Sequence, residues 1–516
     1  MRINRWCCQS WFHGSIHGTP RPVSREEHYR ADTHSRAWYL VSLSWLLPVA
    51  QAGEIHTAAR QGDVKHNQQK SKGCMMGRDD TNRALVWGLL ATLLLSATGF
   101  QTQADWPQWG GPNRNFTVQT TGLAESWSEE GPPRMWQRML GAGYSAIVYD
   151  DGLLFTMYRP VVTAAEEFTV ALDAKTGEEV WSHRNPAPLV EPPDQRWGGQ
   201  GPNSTPLIVG DRLITIGSRA VIHCLDKRTG KVLWRHDMVG DDGATLSKHV
   251  GYCCSPVAYG NTLITADYPR LERNEEDELA RRRRMIELES RKRVDGQALM
   301  AFDLDTGKQV WKNLDFEIGF SSPILINFAG QDQLVMSTHD GLVGLDPVNG
   351  DLLWHHPVMC SEVTPVWDGQ DIIFFTAGGQ RMAGQALRLT KEGDRTIPRE
   401  HWICRKMRIM IPSAVYVDGH LYGATERVLL GVDTQTGKRT WARRGFPNAT
   451  CLYADSKLIL LDENGHLGLA QASPEKITIL AECQVMDRYA LTVPTLVGTT
   501  LYVRDRQRIM ALDLGK

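Results

Sequence analysis

Three histidines of this chain share a spacing that suggests metal chemistry. His183, His236 and His356 each follow a tryptophan by two residues, and three imidazoles are a common zinc ligand set. The same regularity argues against a shared site, because it places the three rings at equivalent positions of separate repeats. Equivalent positions on different repeats lie far apart. We therefore predict no metal site.

A second candidate is the segment Arg196–Ser204, which combines a tryptophan, two amides and several glycines. Glycine lets a ligand approach the backbone closely, while Trp197, Gln200 and Asn203 offer a stacking surface and hydrogen bonds. Segments at similar places in other repeats contribute further candidates, which are His249, Tyr252, Cys253, Cys254, Glu362, Arg408, Arg488 and Tyr489. Each residue alone is typical of ordinary loops, so their shared placement makes the set our candidate binding site. No catalytic residue can be assigned.

A repeated hairpin must position these residues. In Leu225–Trp234 an aspartate ends one strand, a Thr-Gly turn follows, and a tryptophan comes soon after. The aspartate can accept hydrogen bonds from turn amides, and the glycine supplies the positive φ of the bulge. Five copies keep this chemistry, at Asp173/Gly177/Trp181, Asp226/Gly230/Trp234, Asp303/Gly307/Trp311, Asp346/Gly350/Trp354 and Asp433/Gly437/Trp441. Two worn copies have Arg388 and Ala470 at the aspartate position, and the first of them leads to Trp402.

The ends of the chain complete the repeat. Trp136 has no aspartate hairpin before it, and Asp513 has no tryptophan after it. Pairing the strands that carry them would close a ring and remove the exposed sheet edges. The chain has eight such aspartate positions. It also has eight places where a small or polar residue, often followed by proline, precedes an apolar strand.

The pattern predicts an all-β fold, an eight-bladed β-propeller of four-stranded blades closed by N-terminal strand pairing with the C-terminal blade. A hairpin cannot bury its tryptophan alone, so each ring is expected to dock on the neighbouring copy. The predicted docking residues are Trp136, Trp181, Trp234, Trp311, Trp354, Trp402 and Trp441.

Composition agrees with a large folded β domain. The chain has 516 residues, of which 42% are hydrophobic, and a formal net charge of -2. That charge gives no sign of a nucleic-acid partner. The cysteines at 224, 360, 404, 451 and 483 have no metal-ligand spacing, so buried thiols are expected.

The N-terminal region differs from the repeats. Residues 1–74 lack periodicity and are interpreted as an upstream extension outside the fold. Residues 75–104 resemble a secretory signal, because basic residues precede the short apolar run Ala84–Leu95 and small residues follow it. That run is too short to span a bilayer comfortably. An internal apolar helix or an uncleaved anchor is the alternative.

The remaining domain boundaries follow from the repeat. Residues 105–133 form a lead-in expected to pack over one face of the domain, and residues 134–516 form the propeller. The interval from Asp226 to Asp303 contains a charged insertion, residues 270–294, whose acid-base pairs at i,i+4 favour an exposed helix. A solvated appendage and a partner-docking arm remain the two interpretations.

The consensus Ala/Leu-x-Asp-x-x-Thr-Gly-x-x-x-Trp resembles the tryptophan-docking motif of the pyrroloquinoline-quinone (PQQ) propeller superfamily. The resemblance covers residues 134–516 and is nearest to secreted bacterial PQQ-like and BamB-like repeat proteins. The superfamily includes quinoprotein alcohol dehydrogenases and a non-enzymatic outer-membrane assembly protein, so the resemblance implies the fold without choosing between these roles.

Cys253 and Cys254 resemble the adjacent, disulfide-bonded cysteines that lie over the quinone in those dehydrogenases. Plain packing before a strand proline explains the pair equally well. No motif here matches the calcium-binding or catalytic residues of the dehydrogenases, and no Cys-x-x-Cys-His haem site is present.

We therefore predict a secreted or periplasmic propeller, a monomer without a stable transmembrane segment after signal cleavage. It would act as a non-catalytic binding or scaffolding module for a protein or carbohydrate ligand, with no cofactor. The alternative is a PQQ-dependent alcohol or sugar dehydrogenase that binds PQQ with calcium.

Overall fold

The computed structural model describes residues 106–190, 199–247, 250–267, 298–313, 316, 318–358, 360, 363–377, 383–409, 414–487 and 490–515. The expected upstream extension, the signal sequence and the charged insertion at 270–294 lie outside the described residues.

Eight antiparallel sheets make up nearly all of the described regular structure, which confirms the predicted all-β propeller. The blades, numbered in chain order, consist of the following strands. Blade 1 has β3 (Val148–Asp150), β4 (Leu153–Tyr158), β5 (Glu166–Asp173) and β6 (Glu179–Pro186); blade 2 has β7 (Leu207–Val209), β8 (Arg212–Ile216), β9 (Val221–Asp226) and β10 (Val232–Asp237); blade 3 has β11 (Val257–Tyr259), β12 (Thr262–Ala266), β13 (Leu299–Asp303) and β14 (Gln309–Asn313); blade 4 has β15 (Ile324–Phe328), β16 (Gln331–Thr338), β17 (Gly341–Leu345) and β18 (Leu352–His356).

The second half of the ring follows the same order. Blade 5 has β19 (Val366–Trp367), β20 (Ile372–Ala377), β21 (Ala383–Glu392) and β22 (Arg395–Cys404); blade 6 has β23 (Val415–Val417), β24 (His420–Ala424), β25 (Val428–Asp433) and β26 (Arg439–Arg444); blade 7 has β27 (Thr450–Ala454), β28 (Lys457–Leu461), β29 (His466–Ala472) and β30 (Ile477–Gln484); blade 8 has β31 (Thr495–Val497), β32 (Thr500–Arg504), β33 (Arg508–Asp513) and, outermost, β2 (Arg134–Met139). A short strand β1 (Thr117–Val118) adds to β27 in parallel, and a helix α1 (Met238–Asp242) follows β10.

Blade 8 closes the ring as predicted, because β2 pairs with β33 and places Trp136 opposite Ala511. A buried cation reinforces the closure. The guanidinium of Arg504, at the end of β32, donates to the Ser145 and Met157 carbonyls at 3.0 and 2.8 Å. Both acceptors belong to blade 1, so Arg504 links the two blades that close the ring.

The turn chemistry of the hairpins is also confirmed. In blade 2 the Asp226 carboxylate accepts the Thr229 N–H at 2.8 Å and its hydroxyl at 2.7 Å. Gly230 has a φ of 70° and donates its N–H to the Asp226 carbonyl at 2.8 Å. The two hydrogen bonds from Thr229 to the carboxylate lower the pKa of Asp226, because they favour the ionised form.

Five of the seven predicted docking tryptophans donate their indole N–H to the turn of the next blade. The donations run from Trp136 to the Ala174 carbonyl, Trp181 to Lys227, Trp234 to Leu304, Trp402 to Thr434 and Trp441 to Ser473, at 2.7 to 3.0 Å. In the first four of these contacts the indole ring also covers the turn glycine, so that a methyl group on Gly230 would lie 2.5 Å from Trp181. We call this contact the blade clamp.

Trp311 and Trp354 do not donate their indole N–H to the turn of the next blade in the described structure. Trp311 covers Gly350, but its buried indole nitrogen has no hydrogen-bond partner among the described residues. Trp354 donates to the Gln333 side chain of its own blade at 2.7 Å. The amide of Gln333 in turn donates to Thr396 of blade 5 at 2.9 Å, because the long blade 5 hairpin lacks the Asp-Thr-Gly turn.

A second set of bonds runs around the inside of the ring. Thr205, Ser255 and Ser322 of blades 2, 3 and 4 each donate their backbone N–H, at 3.0 Å, to the hydroxyl of the equivalent residue in the following blade. The acceptors are Ser255, Ser322 and Thr364. From blade 2 to blade 5, the small polar residues that precede the innermost strands therefore join neighbouring blades.

We call the end of the ring that carries the docking turns the turn face, and the opposite end the loop face. The lead-in lies against the innermost strands near the turn face. Trp106 is 1% exposed and pairs with Tyr149 of blade 1, and the Pro107 carbonyl accepts the Ile208 N–H of blade 2 at 2.8 Å.

The lead-in then crosses the ring axis. Arg114 donates to the Pro256 carbonyl of blade 3 at 2.9 Å, and the Phe116 carbonyl accepts the Tyr453 N–H of blade 7 at 2.9 Å. Blades 3 and 7 are four positions apart in a ring of eight, so they face each other across the axis. The lead-in therefore spans the turn-face end of the axis, which leaves the loop face as the end of the described ring where we look for a ligand.

The blade clamp leads to a stability prediction. Gly230→Ala should lower the free energy of unfolding by about 2–4 kcal/mol, because the methyl group overlaps the Trp181 ring and the left-handed backbone strains alanine. Gly210→Ala is the matched control, since Gly210 also has a positive φ of 59° but nothing within 4 Å of the added carbon. Urea unfolding followed by tryptophan fluorescence measures both variants. Equal losses would show that the clamp contributes nothing beyond backbone strain.

Candidate functional site at the loop face

Corresponding residues of different blades surround the axis at the loop face. Each lies four residues before a reference residue of the innermost strand, which pairs with the second strand of the same blade. The reference pair is Leu207 and Ile214 in blade 2, and Leu452 and Ile459 in blade 7. We call the set the mouth ring. Its described members are Tyr144, Asn203, Cys253, Phe320, Asn448 and Leu491 of blades 1, 2, 3, 4, 7 and 8; by sequence count the blade 5 and blade 6 residues would be Glu362 and Ile411, which lie outside the described residues.

The described side chains of the mouth ring are partly exposed to solvent. All six described members are half-buried, whereas the residue that follows each of them is buried. Those following residues, among them Ser145 and Ser321, turn back into their own blade, as shown by the Ser321 hydroxyl donating to the Ser337 carbonyl at 2.7 Å. The described ring members carry no charged side chain, so this part of the mouth is electrically neutral.

Asn203 and Cys253 meet across the junction of blades 2 and 3. The Asn203 amide nitrogen donates to the Val250 carbonyl at 2.8 Å and lies 3.5 Å from the Cys253 sulfur. The amide oxygen of Asn203 is buried and has no hydrogen-bond partner among the described residues. Asn203 is therefore an unsatisfied acceptor at the edge of the mouth.

Asn448 of blade 7 has the same character. Its amide nitrogen donates to the Glu463 carboxylate at 3.1 Å, while its amide oxygen is buried and unpartnered in the described structure. A buried acceptor that lacks a donor costs about 1–3 kcal/mol. Asn203 and Asn448 therefore place two unpaired amide oxygens beside the mouth, on blades 2 and 7.

The adjacent cysteines differ from each other. Neither forms a disulfide in this structure; Cys253 is half-buried in the mouth ring, and Cys254 is 4% exposed. Cys254 occupies the position held by Ser145 and Ser321 in other blades, and burial raises its pKa. The disulfide implied by the resemblance is not formed in this structure, and Cys254 is a core residue.

The remaining predicted site residues divide into three groups. Gln200 and Tyr252 are buried: the amide of Gln200 pairs with the Val190 backbone at 2.7 and 3.0 Å, and the Tyr252 hydroxyl donates to the Ala266 carbonyl at 2.7 Å. Arg408 is exposed. The third group lies outside the described residues and consists of Trp197, His249, Glu362, Arg488 and Tyr489.

A groove adjoins the mouth ring on the loop face of blades 7, 8 and 1, with a volume of about 890 Å³. Its apolar side consists of Met139, Leu140, Pro160, Val161 and Val162. Its polar edge is formed by Asn464, Asp487, Arg506 and Gln507. Gly141 and Ala142 also line it, two to three residues before Tyr144, so the groove and the mouth ring are continuous.

The three histidines lie in three separate blades, as expected. His183 packs against His223 of blade 2 with ring centroids 5.0 Å apart, His236 lies 2.6 Å from an Asp242 carboxylate oxygen, and His356 packs against Phe375. Within the described residues no cluster of His, Cys, Asp or Glu has the geometry to hold a metal ion.

Sequence reasoning missed four members of the mouth ring, Tyr144, Phe320, Asn448 and Leu491. Their residue types share nothing, so no motif marks them. Their constant distance from the innermost strand is the signal that finds them, and this signal requires correct strand starts.

The fold defines the chain as a PQQ-like β-propeller. A sequence profile described as outer membrane protein assembly factor BamB matches residues 77–245 and 166–443, and the chain belongs to that family.

Individual similarities extend to both branches of the superfamily. Quinoprotein alcohol dehydrogenase PedH of Pseudomonas putida is 24% identical over 290 residues, which are 52% of this chain and 39% of the relative. The chain thus matches about two fifths of that relative's length. The crystal structure of BamB from Moraxella catarrhalis is 14% identical, with a TM-score of 0.34 over 72% of this chain and 84% of that one. Quinohemoprotein alcohol dehydrogenase from Comamonas testosteroni is 14% identical, with a TM-score of 0.43 over 82% of both chains.

In the described part of the chain, no helix is long and apolar enough to cross a bilayer.

The cysteine geometry predicts selective thiol reactivity. Under native conditions iodoacetamide should modify Cys253, while the buried Cys254 should react only after unfolding, because the thiolate is the nucleophile and burial raises the Cys254 pKa. Peptide mapping by mass spectrometry resolves these sites from Cys7, Cys8 and Cys74. Modification of Cys253 only after reduction would instead indicate a Cys253–Cys254 disulfide.

Proposed function

We propose that this chain is a non-catalytic binding propeller of the periplasm or cell exterior, which holds a macromolecular partner at its loop face. The observation that carries the proposal is the mouth ring, whose described members are half-buried and uncharged and include two unsatisfied acceptors, around an axis that the lead-in crosses at the other end. Membership of a family described as an outer membrane protein assembly factor supports a scaffolding role and this location.

Closure of the channel favours binding over transport or passage. Arg114 fills the axis below the mouth ring, where burial lowers its pKa to about 10, so it remains charged at neutral pH. Its guanidinium is already committed to backbone carbonyls of blade 3. A ligand therefore meets a rigid floor and exposed loops, the usual arrangement for recognition by a propeller.

The alternative is a quinoprotein dehydrogenase, favoured by the adjacent cysteines at the mouth and by the similarity to PedH. PQQ is a carboxylated quinone, and calcium prefers several oxygen ligands, carboxylates above all. None of the described mouth ring members is a cation or a carboxylate, so the described part of the ring does not fit this pair. We derive no redox step for the chain.

The binding role predicts face-specific contact with a partner. A photo-crosslinking benzoylphenylalanine at Asn203 should give a discrete adduct in cells, because this position faces the mouth. The same residue at Gln370, an exposed amide in the turn between β19 and β20 on the turn face, is the control. Gel shift and mass spectrometry read out the adducts. Equal crosslinking from both positions, or crosslinking from Gln370 alone, would contradict a partner at the loop face.

The cofactor question has its own measurement. Titration of the full chain with PQQ in the presence of calcium should show no saturable fluorescence quenching, because the described mouth lacks charged partners for the quinone. A dehydrogenase of the same superfamily that is known to bind PQQ serves as positive control. Saturable binding together with dye-linked oxidation of an alcohol or sugar would establish the alternative function.

A further inference from the structure

The groove on blades 7, 8 and 1 carries an unusual concentration of exposed apolar surface. Met139 and Val161 are 65% and 58% exposed. Other large apolar side chains of the described residues are similarly exposed, such as Val348 at 63% and Val180 at 51%, but Met139 and Val161 are the two that lie together in one groove. Exposed apolar side chains gathered in one concave place mark an interaction site rather than ordinary surface.

The lining is aliphatic. Carbohydrate rings are recognised by stacking on aromatic side chains, whereas aliphatic side chains pack well against other aliphatic side chains. Leu140, Val161 and Val162 therefore favour a ligand with branched or linear hydrocarbon groups. The volume of about 890 Å³ exceeds one side chain and accommodates several residues of an extended segment.

The groove is also balanced in charge. Asp487 and Arg506 supply one charge of each sign at its edge, and Asp487 is further paired with Arg508 at 3.1 Å. The adjoining described members of the mouth ring are neutral. A strongly acidic or basic ligand would gain nothing from this surface.

Hydrogen-bond acceptors flank the groove on both sides. Asn448 lies on blade 7 and Asn203 on blade 2, so the two unsatisfied amide oxygens bracket blades 8 and 1. Rotation of these half-buried amides towards an incoming N–H would relieve the cost of leaving the acceptors unpaired. A peptide backbone presents such N–H groups at regular intervals alongside its side chains.

We infer that the groove binds an extended, uncharged peptide segment of a protein partner, with its aliphatic side chains against Met139, Leu140 and Val161. Its backbone amides are paired by Asn448 and Asn203. The inference rests on the proposed function. It specifies the partner as a protein that is recognised through an aliphatic segment.

The test selects ligands from a displayed library of random twelve-residue peptides on the immobilised full chain, with a glycan array in parallel. Enriched peptides should be uncharged and aliphatic. Val161→Asp should weaken the binding of a synthetic enriched peptide at least tenfold, because it buries a carboxylate against the aliphatic side chains of the ligand. Val180→Asp is the matched control, since Val180 is a valine of the same blade that is 51% exposed outside the groove.

Met139→Glu provides a second groove variant in case Val161→Asp disturbs folding, which circular dichroism reports. Binding of enriched peptides that neither variant weakens, or enrichment of charged peptides, would overturn the inference. Glycan binding without peptide enrichment, or no enrichment at all, would overturn it too. In each of these cases an Asn203 crosslink to a partner would leave the proposed binding function standing.

Discussion

The contact of an indole ring with the turn glycine of the next blade is the interaction on which the rest of the structure depends. Five tryptophans cover the turn glycine of the following blade, so the clamp is directional and recurs around the ring. Each of these contacts needs the following blade in place, so closure of the ring stabilises the whole set. The pairing of β2 with β33 and the buried guanidinium of Arg504 complete that closure.

Closure determines where function can reside. The turn face is occupied by docking turns and by the lead-in, which crosses the axis between blades 3 and 7. The loop face is free of these structural tasks and carries the half-buried mouth ring. Recognition is thus expected on loops held by a rigid scaffold, which is the common division of labour in propellers.

The fold could be predicted because its determinants are local and repeated. Asp226, Gly230 and Trp234 lie within one hairpin, and the five intact copies show the same kind of turn hydrogen bond. Asn203 and Cys253 of the mouth ring were predicted, but Tyr144 and Asn448 could not be, because they share only a position relative to their strands. Gln200 and Tyr252 were predicted as candidate ligand contacts from their placement in the loops before the innermost strands; the structure shows their polar groups donating to backbone carbonyls inside the fold. The axial crossing of Arg114 depends on long-range packing that no local pattern encodes.

Hydrogen-deuterium exchange of the full chain with and without its bound partner tests the central claim most directly. Binding at the loop face predicts protection of the backbone amides in 141–145, 160–162, 199–204 and 250–256. Exchange in the lead-in, residues 106–118, should not change, because that segment closes the opposite end of the channel. Protection confined to the lead-in, to the docking turns or to the outermost strands would contradict the account.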